Sequence, residues 1–340
     1  MNHRFLASMS ALGVVTVLVL LTPILIAGQS PLSAAKTRTP PHTPDGKPDL
    51  QGIWTNATVT PLERPRDLAG KEFLTETEAA EFEKLAVYDA NGDRRDGTAD
   101  ADVGRAYNEF WRDRGKVVST MRTSLIVDPP DGRVPSLTPE AQKRNADRVE
   151  AARRRGGAFD GPENRSLAER CLSMPQAGPP MLPANYNSNY QIVQTPGSVV
   201  ILVEMIHDAR IIPLDGSPHL PQNIRQWLGD SRGHWEDGNT LVVETTNFTD
   251  KTNFRGSSEN LRLVERFTRV DVNTLLYQFT VEDPTTWAKP WSGEIPMKKA
   301  QGPLYEYACH EGNYGLAGVL AGARAEEKKA AEEATKKGSK

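Results

Sequence analysis

Beyond residue 186 the chain breaks into short runs rich in Val, Ile, Thr, Tyr and Phe, each ended by Gly, Pro, Asn or Asp. Such runs, bounded by turn residues, read as strands. They fall at 189–195, 198–206, 209–214, 233–237, 240–247, 261–270, 274–282, 292–298 and 303–309. The turns are legible as Thr195-Pro196-Gly197, Asp215-Gly216, Asp237-Gly238-Asn239 and Asp271–Asn273. Spacing this short makes neighbouring strands pair antiparallel. Successive hairpins then predict a mainly β, antiparallel up-and-down barrel or strongly curved sheet, because closure removes exposed edges.

The alternation assigns faces. Along residues 261–269 one face carries Leu261, Leu263, Glu265 and Phe267, and the other Arg262, Val264, Arg266 and Thr268. The first set faces the core, so Glu265 points inward. On the next strand Leu275, Tyr277, Phe279 and Val281 share the inner face. Val199–Ile206 is apolar on both faces, which requires a cover. The first half of the chain has helices to offer. Residues 75–114 lack strand alternation, and about 75–155 read as a helical insertion. Thr75 with Glu78 forms a capping box, Ala79, Ala80, Phe82, Leu85 and Ala86 follow at helical spacing, and Asn91-Gly92-Asp93 ends the helix. A second short helix is expected over 103–114, a strand over 123–127, and a third helix from Thr138-Pro139 to Arg155.

The N-terminus sets the compartment. Arg4, the uncharged apolar run 11–27 and the small residues Ser33-Ala34-Ala35 have the order of a secretory signal peptide. Cleavage after Ala35 or near Gly28 both fit. The competing reading, an uncleaved anchor, meets a run near the lower spanning length that Pro23 interrupts. No Cys lies near the junction, which excludes a lipoprotein. The expected organisation is a signal peptide over 1–35, an extended Pro-rich linker over 36–50 and a single β-rich domain over 51–324. The charged segment 325–340 has no apolar stripe and is expected to be disordered. The protein is expected to be periplasmic or secreted. Outside residues 1–30, 40 basic side chains face 44 acidic ones. That balance gives no basic surface for nucleic acid, and no second apolar run suggests a membrane after cleavage.

Cys171 and Cys309 are the only cysteines. In an oxidising compartment such a pair forms a disulfide; the other readings are two free thiols, or a nucleophilic Cys309 beside His310.

The segments Pro48–Trp54, Glu204–Arg210, Trp227–Gly233, Glu265–Arg269 and Tyr307–Tyr314 resemble an uncharacterised family of exported bacterial proteins. The likeness spans roughly residues 48–327 and implies a bacterial, extracytoplasmic setting but no activity. Gly52-Ile53-Trp54 also resembles the opening of lipocalin (calycin) barrels. That likeness implies a closed barrel with a central cavity, from which the helical insertion departs.

Motifs for nucleotides, α/β-hydrolases, zincins, Cys-x-x-Cys chemistry and haem attachment are missing. No cofactor is therefore expected. Polar groups in apolar strands and their turns carry what chemistry remains. In Glu204–Arg210, Arg210 can pair with Glu204 in a structural ion pair, or His207 can carry a proton with Asp208 orienting it. In Trp227–Trp235, Asp230 and Arg232 flank a Gly-bounded loop between Trp227 and Trp235. It suits a binding rim, or equally a turn held by its Asp. His310 and Glu311 follow Cys309 at a strand end. With His207 they include metal-ligand types, but no His pair has ligand spacing, and no metal is expected. Two functions fit. One is a cofactor-independent lyase, hydratase or isomerase acting on an apolar or carboxylated small molecule, with His207, Asp208, Glu265, His310 and Glu311 as acid–base groups. The other is a non-catalytic ligand- or glycan-binding module, or an envelope partner-binding protein, with Arg210, Trp227, Asp230, Arg232, Trp235 and Tyr277 as contacts.

Overall fold

The computed structural model describes residues 40–338 apart from 106–108, 175–176 and 252–253. The signal-peptide reading lies outside these residues. Ten strands form one sheet: β1 (Gly52–Thr55), β2 (Ile126–Asp128), β3 (Asn189–Gln194), β4 (Ser198–Val203), β5 (Ala209–Pro213), β6 (Asp230–Glu236), β7 (Thr240–Thr246), β8 (Arg262–Arg269), β9 (Thr274–Glu282) and β10 (Trp291–Lys299). Nine of them follow the order β5-β4-β3-β1-β10-β9-β8-β7-β6, and β2 pairs separately with β10. The result is the expected antiparallel barrel, nearly closed.

Strand number explains why closure stops short. Every pairing along that order is antiparallel, so directions alternate. Nine is odd, so the outermost strands β5 and β6 run the same way. They approach within 8 Å yet share no ladder. Parallel neighbours cannot be joined by a tight turn; the chain must travel back along the barrel first. Residues 214–229 make that return. They lie on the outer face of β6, where Asp230 accepts from the Leu220 N–H at 3.0 Å and Arg232 Nε donates to the Pro218 carbonyl at 3.1 Å. Asn247 Nδ2 donates to the carbonyls of Leu220, Pro221 and Ile224.

The barrel interior is filled. Phe267, Tyr277, Phe279 and Trp291 form a continuous row with successive ring centroids 5.2, 5.7 and 5.8 Å apart. Inward aromatic side chains on β8, β9 and β10 occupy space where the lipocalin likeness implies a central cavity. Gly293 makes room for them: a Cβ there would sit 2.5 Å from Phe279 Cζ. At one end Arg269 lies 4.4 Å over the Trp54 ring and donates to the carbonyls of Asp49, Asp271 and Val272. Residues 48–50, read as linker, are thereby part of the barrel floor, with Leu50 fully buried.

Three further expectations change. Residues 303–309 form no strand; they cross the β4–β5 corner as a strap. Among the described residues no helix covers Val193 and Ile211 on the outer face of β3–β5, which are 44% and 67% exposed. Helix α1 (Glu76–Ala90), capped by Thr75 and Glu78 as expected, contributes Ala79 to a separate small cluster with Leu74 and Val117. A short helix α2 covers Ala99–Arg105. Helix α3 (Pro139–Arg154) docks instead through Arg144 on Thr286 and Gly256. The charged C-terminal segment is helical, in α4 (Tyr314–Gly338). Its Ala, Glu and Lys are strong helix formers, and Arg324 ties it to the Phe159 and Asp160 carbonyls. Among the described residues no helix is long and apolar enough to cross a membrane.

Candidate functional site

The seam between β5 and β6 is closed from inside by side chains instead of a backbone ladder. Arg210 on β5 forms a two-pronged ion pair with Glu265 on β8, Nη1 to Oε1 at 3.1 Å and Nη2 to Oε2 at 2.5 Å. Nη2 also lies 3.4 Å from Ser231 Oγ on β6 and 3.5 Å from Thr245 Oγ1 on β7. Those two hydroxyls bond to each other at 2.9 Å. The Tyr277 hydroxyl on β9 donates to Glu265 Oε1 at 2.9 Å and accepts from the Met181 N–H. Burial, reinforced by the Glu265 charge, pushes the Tyr277 phenol well above its ordinary value, so it stays a donor. A bidentate pair supported by further hydrogen bonds is a form in which a buried charge is tolerated; here the Tyr277 hydroxyl supports Glu265, while Arg210 Nε has no hydrogen-bond partner among the described residues. The sequence-based partner for Arg210 was Glu204. That carboxylate instead accepts from Asn189 Nδ2 at 2.7 Å and from the Tyr305 N–H at 3.3 Å. The reason is strand parity: Arg210 sits on the inner face of β5 and faces across the barrel, while Glu204 lies in the β4–β5 turn.

Outside this bolt lies a cleft of about 460 Å³, lined by Ala209, Arg210, Ile211, Arg225, Gln226, Trp227, Leu228, Gly229, Asp230 and Ser231. Of the predicted contacts, Arg210, Trp227 and Asp230 meet here. Trp227 is 43% exposed. Asp230 is buried and fully engaged, accepting from His219 Nδ1 at 2.8 Å and from Arg232 Nη1 at 2.7 Å. Arg232 is therefore a support beneath the rim. Trp235 is elsewhere: it lies five residues along β6, roughly 17 Å from Asp230 at strand rise, beside Lys47. Tyr277 is inside the barrel. Gly229 is required by the turn: its φ is +72°, and a Cβ would sit 2.6 Å from the Thr246 carbonyl oxygen.

The expected acid–base groups divide among three places. Glu265 is fully buried in the bolt. His207 is exposed in the β4–β5 turn, its Nδ1 3.1 Å from the Tyr307 carbonyl. Asp208 is half-buried next to it, and burial raises its carboxyl above the ordinary value despite the neighbouring His207. Ile206 has φ 65° and His207 φ 49°. A β-branched residue in that region is strained, and the strap holds it there. Cys171 and Cys309 are bonded, their Cα atoms 5.7 Å apart. This fixes the strap over the corner. His310 and Glu311 follow on an exposed turn. Among the described residues no group of three or more metal-binding side chains converges.

The residues that sequence reasoning missed are those of the return connection and β5: His219, Arg225, Gln226, Leu228 and Ile211. The signal for them was the length of 214–229, too long for a hairpin. Compared with models of protein families, with curated proteins and with solved structures, the chain matches none.

Proposed function

We propose that the protein is an exported ligand-binding barrel that holds a small, largely apolar molecule bearing an oxygen acceptor in the seam cleft. One observation carries this reading: the single interruption of the barrel ladder coincides with an exposed indole and an exposed isoleucine beside buried Arg210, Asp230 and Ser231. The lining combines Ile211, Trp227 and Leu228 with Arg210, Arg225, Gln226, Asp230 and Ser231, and the volume is in the range of small-molecule sites. The disulfide supports the exported setting. Native mass spectrometry of the protein purified from its producing cell tests the reading. A bound organic mass that Trp227→Ala removes supports it; a bound mass that survives Trp227→Ala and a cleft-filling Ala209→Trp overturns it.

A second reading, proton transfer at the His207–Asp208 corner, is favoured by the raised carboxyl and the strained turn. It requires a substrate whose turnover His207→Ala abolishes while the fold is kept.

A further inference from the structure

Trp227 and Leu228 line two spaces at once. On one side is the seam cleft. On the other is a narrow pocket of about 20 Å³ under the Gly178–Pro179 turn, walled by Ser173, Phe248, Phe254 and Leu261. Phe248, Phe254 and Leu261 are buried, and Phe254 stacks on Trp291 with centroids 6.2 Å apart. The pocket therefore leads into the apolar end of the barrel. It has room for about one water, and its lining gives a water few partners. It cannot be a ligand site by itself, but it adjoins the cleft across Trp227 and Leu228. The cleft lining is of two kinds. Arg225, Gln226, Asp230 and Ser231 form its polar part, and Ile211, Trp227 and Leu228 its apolar part.

Resting on the binding reading above, we infer that the ligand is a single-chain amphiphile. Its oxygen-bearing head lies in the cleft beside Arg225 and Gln226. Its hydrocarbon chain covers the exposed face of Trp227, and its terminal methyl reaches the Phe248–Phe254–Leu261 pocket. The two kinds of lining give the orientation: the chain end has no hydrogen-bonding partner to lose, and the head keeps access to solvent.

The test uses the full mature protein with two probe series, sodium alkanoates and n-alkanols of six to twelve carbons, read by calorimetry and Trp fluorescence. Saturable binding of one equivalent is expected, tightening about fourfold per added methylene until the pocket is filled. Leu261→Trp should move the levelling-off point to shorter chains. Tighter alkanoates than alkanols would assign a carboxylate head, and the reverse a hydroxyl head; both support the inference. Affinity independent of chain length, or uptake of many equivalents, overturns it, and does so on the wild-type protein even if Leu261→Trp fails to fold. If neither series binds while native mass spectrometry shows a different occupant that Trp227→Ala removes, the amphiphile is wrong and the binding reading stands. If the native protein is bare and no probe binds, both fall.

Discussion

The two sides of this barrel are held by different forces. From β7 to β10 the wall is a continuous ladder, with registered pairs from Thr240↔Thr268 through Leu263↔Val281 to Trp291↔Val281, over an inner row of aromatic rings. From β5 to β6 the backbone gives nothing and one buried ion pair with its hydroxyls spans the gap. A ladder distributes its stabilisation over many weak bonds and has no room for a ligand. A bolt concentrates it in a few strong ones and leaves the surface above it open. The difference leaves the cleft lined by Arg210, Trp227 and Asp230 directly above the bolt.

That contrast can be broken experimentally. The largest effects should come one from each side. Phe279→Ala in the wall and Glu265→Ala at the bolt should each cost about 3–5 kcal/mol in urea unfolding. They should differ in rescue: adding Arg210→Met to a Glu265→Leu background restores most of the loss, because no unpaired charge remains. A cost for Glu265→Ala below about 1 kcal/mol would show that the seam does not depend on the bolt.

Asn247→Ala should cost about 1–3 kcal/mol, since its amide supports three carbonyls of the return connection. Hydrogen exchange should rise in residues 218–229 and stay low in β9. Uniform acceleration would mean that the connection is not a separate unit.

The two sides should also oppose each other in pH dependence. At the end of β9, burial raises the Asp283 carboxyl, but bonds from Thr286, Ser258 and Thr285 outweigh it and the net shift is downward. Its stabilisation is present above the unfolded value near 3.8 and is lost as pH falls through the lower folded value. Asp208, beside the seam, is shifted upward by burial. Its contribution is present below 3.8 and lost as pH rises through the higher folded value. Urea midpoints from pH 3 to 7 should therefore show Asp283→Asn flattening the acid limb, and Asp208→Asn raising stability at pH 7 with little change at pH 3. The same sign for both would break the comparison. The smallest effect is Ile211→Ala, within about 0.5 kcal/mol because the side chain is largely exposed, and visible only in ligand binding.

Strand existence and facing were legible because each inner face repeats with period two: Leu263, Glu265 and Phe267 are buried as the alternation required. The filled interior was not legible. Whether Tyr277, Phe279 and Trp291 line a cavity or fill it depends on how three strands curve toward one another, which no single strand records. The strap at 303–309 has strand-like composition, but its length is spent reaching from Ala300 to the Cys171 bond. Of the site, Arg210, Trp227 and Asp230 were visible as polar and aromatic interruptions. Their neighbours on 214–229 were not, since those residues acquire their place from topology.

The odd strand count constrains how such a barrel can change over generations. Insertion of a hairpin adds two strands, keeps the parity odd, and leaves two edges facing the same way. Loss of a hairpin does likewise. Only gain or loss of a lone strand makes the count even, and that would let the end strands pair antiparallel and seal the cleft. The opening at β5 and β6 is thus protected by arithmetic against the commonest kind of rearrangement a β-meander undergoes, and it can persist while every side chain around it is exchanged.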